Sequence, residues 1–312
     1  MMALHIRNRH HDGYDLTRLA ATWPPLSAHV LTGRSKRGPH AATINFKNTE
    51  AVEALNAALL SIDYGVQEFQ LPRGHLTPAV PGRADYLHVL ADLLAHDAPA
   101  GEPPHGPAVC GLDVGTGPSC IYPLIGHAEY QWSFLASDVD AAAIASAAAL
   151  VSANAVPVEL RLQRERTSIL RGVLGPTDGL VTFTMCNPPF FQSAEEAAAQ
   201  TARKWRGLRR GGGSTRSFGG SASELWCPGG EKAFITRHIR ESARSPKAAL
   251  WFTSLVSAEK SLPKLEAELR ASRASRVEQL GVSTGNKRMR VLAWSFHGDA
   301  ERRVRFAEAM PS

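Results

Sequence analysis

The chain has 312 residues, 44% of them hydrophobic and 21% charged, with a formal net charge of +6. That length can bury a large core, the composition is that of a soluble globular protein, and no apolar run is long enough to span a bilayer. Four widely spaced cysteines (Cys110, Cys120, Cys186, Cys227) with no Cys-x-x-Cys favour free thiols in a reducing compartment over a disulfide frame or a zinc site.

Residues 1–98 read as a mainly helical extension. Met1–His11 has no apolar signal core, so a cytoplasmic location is expected. The stretch 49–60 has helical apolar spacing behind a cap at Asn48 or Thr49. Pro81–Asp85 then leads into a second helix, 86–95. The Pro/Gly-rich stretch 99–107 marks a linker.

From 108 to 300 strands alternate with helices. Strands are expected at 108–113, 131–138, 158–162, 180–186 and 248–254, and helices at 141–154, 231–243 and 262–271. An antiparallel pair, 276–280 with 291–296, finishes the set, and 301–312 reads as a C-terminal tail. Such alternation predicts an α/β fold with an open, largely parallel, Rossmann-like sheet. Ligands then bind outside the carboxyl ends of the strands.

Three features carry chemistry at those ends. Asp113-Val-Gly115-Thr-Gly117 closes the first strand, and its glycines let the backbone approach a ligand closely. Asp138 closes the second strand about twenty residues on, as expected of an acid that holds ribose hydroxyls. Pro118 and Ser119 then depart from the dinucleotide fingerprint, so S-adenosylmethionine suits the site better than a nicotinamide. Asp140 is either the real ribose ligand or the cap of the next helix. Asn187-Pro188-Pro189-Phe190 ends the buried fourth strand, beside the first. The two prolines stiffen the turn, the amide oxygen of Asn187 and a turn carbonyl accept the hydrogens of a planar NH2 group, and Phe190 stacks on the attached ring. An ordinary strand-ending turn is the plainer alternative.

Basic residues cluster at Arg34–Arg37, Arg161–Arg171, Arg203–Arg216 and Lys287–Arg290, a footprint of polyanion binding. The insertion 192–220 carries Arg203, Lys204, Arg206, Arg209 and Arg210 around Trp205 and reads as a basic flap over RNA, or as a plain linker. Arg7 and Arg9 are expected to add phosphate contacts.

The stretches Asn187-Pro-Pro-Phe-Phe191, Asp113–Gly126, Pro81-Gly-Arg-Ala-Asp-Tyr86, Glu224–Glu231 and Leu250–Val256 resemble the RNA adenine-N6 methyltransferase family. The likeness runs from His5 to Phe296. Its bacterial branch modifies one adenine of large-subunit ribosomal RNA, and its eukaryotic branch a small nuclear RNA and certain messenger hairpins. The resemblance implies a class I methyltransferase domain that uses S-adenosylmethionine, acts on RNA without a metal and is a monomer. It implies a donor site of Arg83, Asp113, Gly115, Gly117, Asp138, Gln163 or Thr167, and Asn187, with Phe190 and Phe191 flanking the base. The lack of a long C-terminal extension favours the bacterial type. Arg83 has a structural alternative, an ion pair with Asp85 or Asp113. A protein glutamine methyltransferase uses the same Asn-Pro-Pro-aromatic turn on a carboxamide, and an RNA binder that has lost catalysis also stays open.

Overall fold

A computed structural model of the chain describes residues 4–35, 38–72, 75, 78–175, 177–193, 195–196, 226–284 and 287–310. The first elements are two short helices, α1 (Leu16–Thr22) and α2 (Pro24–Ser27), and a hairpin of β1 (Val30–Ser35) and β2 (Gly38–Ile44). The hairpin is absent from the sequence reading, because its glycines, proline and charges break any period-2 pattern. Helix α3 (Thr49–Tyr64) follows. Its cap is Asn48, whose side chain accepts from the Glu50 N–H at 3.0 Å.

Helix α4 (Val80–Ala95) begins six residues earlier than expected, with Pro81 in its first turn. Proline is tolerated there because the first N–H groups lack helical partners. The cap comes from outside the segment: Asn56 of α3 accepts from the Val80 N–H at 3.0 Å. This early start makes Arg83 a helical residue with a fixed direction.

The remaining elements are β3 (Cys110–Val114), α5 (Ile121–Tyr130), β4 (Ser133–Asp138), α6 (Ala141–Asn154), β5 (Val158–Leu162), β6 (Val181–Cys186), α7 (Gly230–Arg244), β7 (Ala249–Val256), α8 (Leu262–Ala271), β8 (Arg276–Thr284), β9 (Lys287–Ser295) and α9 (Asp299–Ala309). The stretch expected as a tail thus begins inside α9. The strands form one sheet in the order β5-β4-β3-β6-β7-β9-β8. Pairings from β5 through β7 are parallel, and β9 pairs antiparallel with both β7 and β8. Strands β8 and β9 run longer than expected because their cross-strand pairing continues past the apolar core.

Every residue of β6 and β7 is buried, as central strands covered on both faces require. Neighbours alternate between faces: Trp251 joins a core with α4 and α5, and Phe252 joins a core with α7 and α8. The first core also takes in Leu55 and Leu59 of α3, so the N-terminal segment packs as a cover on the sheet. The chain moves outward through β4 and β5, then crosses to β6 on the other side of β3. That reversal opens a crevice at the carboxyl ends of β3 and β6.

Helix α9 is fastened by a buried ion pair. The Arg302 guanidinium donates to Asp97 at 3.0 Å and to the His297 carbonyl at 2.9 Å, and lies 4.4 Å from the Trp251 ring centre. The Trp251 indole donates to the same Asp97 at 2.7 Å. Removing one partner leaves a buried charge uncompensated, which costs about 3–5 kcal/mol. Arg302→Ala is therefore expected to lower unfolding stability by about that amount, read from urea denaturation at neutral pH. A loss under about 1 kcal/mol, typical of an exposed pair, would show that the pair is not held out of solvent.

Candidate active site

The crevice is a cavity of about 640 Å³. Its floor is the turn after β3. Gly115 and Gly117 have φ of +75° and +64°, a backbone region that only glycine enters without strain. At Gly115 the space that a side chain would fill is open. The turn is fastened from β4: the Gly115 and Thr116 N–H groups both donate to the Ser137 carbonyl at 2.9 Å, and the Gly117 N–H donates to Asp138 at 2.9 Å. The other Asp138 oxygen accepts from the Asp140 N–H at 2.9 Å. Asp140 itself accepts from the Ala142 N–H at 2.9 Å and caps α6, the second of its two expected roles.

Asn187, Pro188, Pro189 and Phe190 line the cavity from the end of β6. The Asn187 amide oxygen is buried and has no hydrogen-bond partner among the described residues. A buried unpaired acceptor costs about 1–3 kcal/mol, and a ligand donor would relieve it. Phe190, at the mouth, is 42% exposed. Arg83 reaches the cavity from α4, with its guanidinium carbon 5.7 Å from the Tyr122 ring centre. Neither expected ion pair forms: Asp85 accepts from the His5 N–H at 2.7 Å and from the Asn8 amide at 2.8 Å, and among the described residues no carboxylate lies within ion-pair distance of Arg83.

The electrostatics are strained. Asp113 is 1% exposed, and neither of its oxygens meets full hydrogen-bond geometry. Burial pushes its carboxyl up to about 7, and Asp138 adds to the rise, while the Thr116 hydroxyl and Arg83 oppose it. Asp138 is also raised, chiefly by burial, against the two N–H groups that it accepts. Arg83 thus lowers what burial raises at Asp113, and it lines the cavity together with Asp138, Lys47 and Arg166.

Three expected site residues, Asp113, Thr167 and Phe191, do not line the cavity, and Gln163 lines it with its polar atoms engaged. Asp113 is behind the glycine turn and does not line the cavity. Gln163 lines it, but its amide donates to the Arg171 carbonyl at 2.9 Å and accepts from the Glu165 N–H at 2.9 Å, so its polar atoms serve the loop. Thr167 faces out of the cavity, and its hydroxyl donates to Glu165 at 2.6 Å. Its neighbour Ser168 turns inward. Phe191 does not line the cavity; its backbone bridges to Trp226.

The N-terminal arginines hold the fold. Arg7 donates to Asp92 at 2.7 Å and to the His88 carbonyl at 3.1 Å. Arg9 donates to Glu129 at 2.7 Å and lies 5.1 Å from the Tyr64 ring centre. Arg203, Lys204, Arg206, Arg209 and Arg210 lie outside the described residues. The sequence reading missed Phe46, Lys47, Ser119, Tyr122 and Phe234, all of which line the cavity. Phe46 is 60% exposed; an aromatic followed by a lysine just ahead of the Asn48 cap was the available signal.

Comparison with known proteins fits this geometry. Residues 1–298 match the profile of a family described as RNA methyltransferase. The chain belongs to that family. It is 45% identical over 312 residues to the ribosomal RNA large subunit methyltransferase F of Pseudomonas putida, covering 98% of this chain and 96% of that one. The catalytic domain of human METTL16, solved in complex with the MAT2A 3'UTR hairpin 6, superposes with a TM-score of 0.76 at 31% identity, covering 96% of this chain and 99% of that one. The N-terminal domain of human METTL16 in complex with SAH gives 0.73 at 29% identity, covering 95% and 100%. The chain is thus an RNA methyltransferase by family, with a sheet of the kind that it shares with METTL16.

The raised acid makes a sign prediction. With a folded value of about 7 against an ordinary value near 3.9, Asp113 favours the folded state below about pH 4, and that contribution is lost as pH rises to about 7. Asp113→Asn is therefore expected to melt progressively higher than the wild type as pH rises from 4 to 7, levelling above that, by roughly 2–4 kcal/mol in all. Thermal melts of the ligand-free protein across that range check it; a difference independent of pH would show that Asp113 does not titrate there.

Proposed function

We propose that this protein transfers a methyl group from S-adenosylmethionine to the exocyclic N6 of one adenine in large-subunit ribosomal RNA. The observation that carries the reading is the buried amide oxygen of Asn187 at the rim of the cavity, which has no hydrogen-bond partner among the described residues. The name of the 45% identical relative supports the ribosomal substrate over the messenger hairpin in the METTL16 complex.

The residues present fit the cofactor. The Arg83 guanidinium, with no carboxylate partner among the described residues, suits its carboxylate, and the open space over Gly115 suits its amino-acid end. Asp138, with one of each oxygen's two lone pairs committed to a backbone N–H, has acceptor capacity left for ribose hydroxyls. When bound, S-adenosylmethionine supplies an electrophilic methyl carbon on a sulfonium.

The chain's own part is positioning. An adenine NH2 is a weak nucleophile because its lone pair is delocalised into the ring. Asn187 and a carbonyl of the proline turn each accept one of its hydrogens, which aims the lone pair out of the base plane. The prolines keep that pair of acceptors rigid, and Phe190 offers a face for the ring. A base in a duplex must first leave the stack; the exposed Phe46 and Phe190 at the mouth give it an aromatic surface to enter against. Orientation of this kind is worth several powers of ten in rate. The amine loses its proton after transfer, so no strong base is required beforehand.

Asn187→Ala is expected to lower methyl transfer to large-subunit ribosomal RNA by about 100-fold or more, while binding of S-adenosylmethionine by calorimetry stays within a few-fold. The assay is transfer of labelled methyl to RNA, followed by nucleoside analysis for N6-methyladenine. Undiminished transfer in the variant, or a methyl found on another base or ring position, would reject the assignment.

A further inference from the structure

We propose that a second cavity, on the outer side of α7, is a docking groove for the phosphate backbone of the RNA substrate. This rests on the function proposed above and adds a recognition surface to it. The cavity measures about 920 Å³ and lies between residues 167–179, the second half of α7, and residues 245–248.

Its walls are cationic. Arg237, Arg240 and Arg244 recur at three and four residues, which puts them on one side of α7; at 1.5 Å per residue the row is about 10 Å long. Arg171 faces them from the loop, and Lys247 closes the far end. Two carboxylates also line the groove, and both are engaged by its own wall. Glu241 accepts from the backbone N–H groups of Ile169, Leu170 and Arg171 at 3.0, 2.8 and 3.2 Å. Asp178 takes both ends of the Arg161 guanidinium at 2.7 and 2.6 Å and the Gly175 N–H at 2.7 Å. Arg240 pairs with Glu268 at 2.6 Å. Among the described residues, no carboxylate lies within ion-pair distance of Arg237, Arg244 or Lys247. The groove therefore holds three cations that have no carboxylate partner among the described residues.

Its position gives it an occupant. Ser168 lines both this groove and the active-site cavity, and Phe234, one helical turn before Arg237, lines the latter. A strand leaving the mouth has a continuous path along α7 from Phe234 past the arginine row. Guanidinium forks match phosphate oxygens in pairs, and a repeated phosphate matches a repeated arginine better than a single small anion does.

The test compares the full chain with Arg237→Gln/Arg244→Gln/Lys247→Gln and with the charge-keeping Arg237→Lys/Arg244→Lys, by filter binding to an unmodified transcript of large-subunit ribosomal RNA over a salt series. Loss of about three phosphate contacts makes the plot of log affinity against log salt shallower by about two to three. Affinity near 0.1 M salt then falls on the order of tenfold or more, and the lysine pair keeps the slope. An unchanged slope and affinity in a triple variant with a wild-type melting temperature overturns the groove, as does equal displacement of wild type and triple by inorganic phosphate at constant ionic strength. If the wild type binds this RNA but transfers no methyl to it, the proposed function fails, while the slope difference still decides the groove.

Discussion

One carboxylate organises the crevice. Asp138 accepts a backbone N–H from the turn after β3 with one oxygen and from the turn after β4 with the other. Two glycines with positive φ make that first turn possible, and glycine leaves a backbone more conformational freedom than any other residue. The buried acid keeps the glycine turn in place, and burial raises the proton affinity of Asp138. The floor of the cavity therefore exists before any ligand arrives.

Helix α4 does the corresponding work on the opposite wall. Its first turn is capped from α3, its Asp85 ties down the N-terminal segment, and Tyr86 shares a hydrogen bond of 2.8 Å with Thr253 of β7. Arg83 leaves this fixed helix toward the cavity, and its charge opposes the raised proton affinity of Asp113. Among the described residues that cation has no carboxylate partner, and a desolvated charge is costly until it is matched. The buried acceptor of Asn187 is the same kind of feature with opposite polarity. Both are local costs that a well-fitting ligand removes.

The positive charge divides by role. Arg7 and Arg9 are expected from the sequence to contact phosphates, yet each holds an intramolecular carboxylate, as does Arg302 in the stretch expected as a tail, and they fasten the ends of the chain to the core. Arg237 and Arg244, which no cluster in the sequence marked, line the second cavity with no such partner among the described residues. Net charge counts both kinds alike, and only the position of the acids separates them.

The sequence by itself determined the sheet and the heart of the site. Runs such as 180–186 and 248–254 are legible because strands buried on both faces must be apolar throughout, and the Asn-Pro-Pro-Phe and Gly-Thr-Gly turns are legible because their conformations demand those residue types. Helices 141–154 and 262–271 were bounded from their own spacing. The hairpin of residues 30–44 and helix α9 were not, because each is mostly polar and gains its place through a few long-range contacts, such as Arg302 with Asp97. The tertiary structure alone decided that α4 starts at Val80, that Ser168 and not Thr167 enters the cavity, and that Asp113 stays behind the turn. Each of these depends on which group from a distant segment supplies a partner, and that information is carried by packing in three dimensions and not by local spacing.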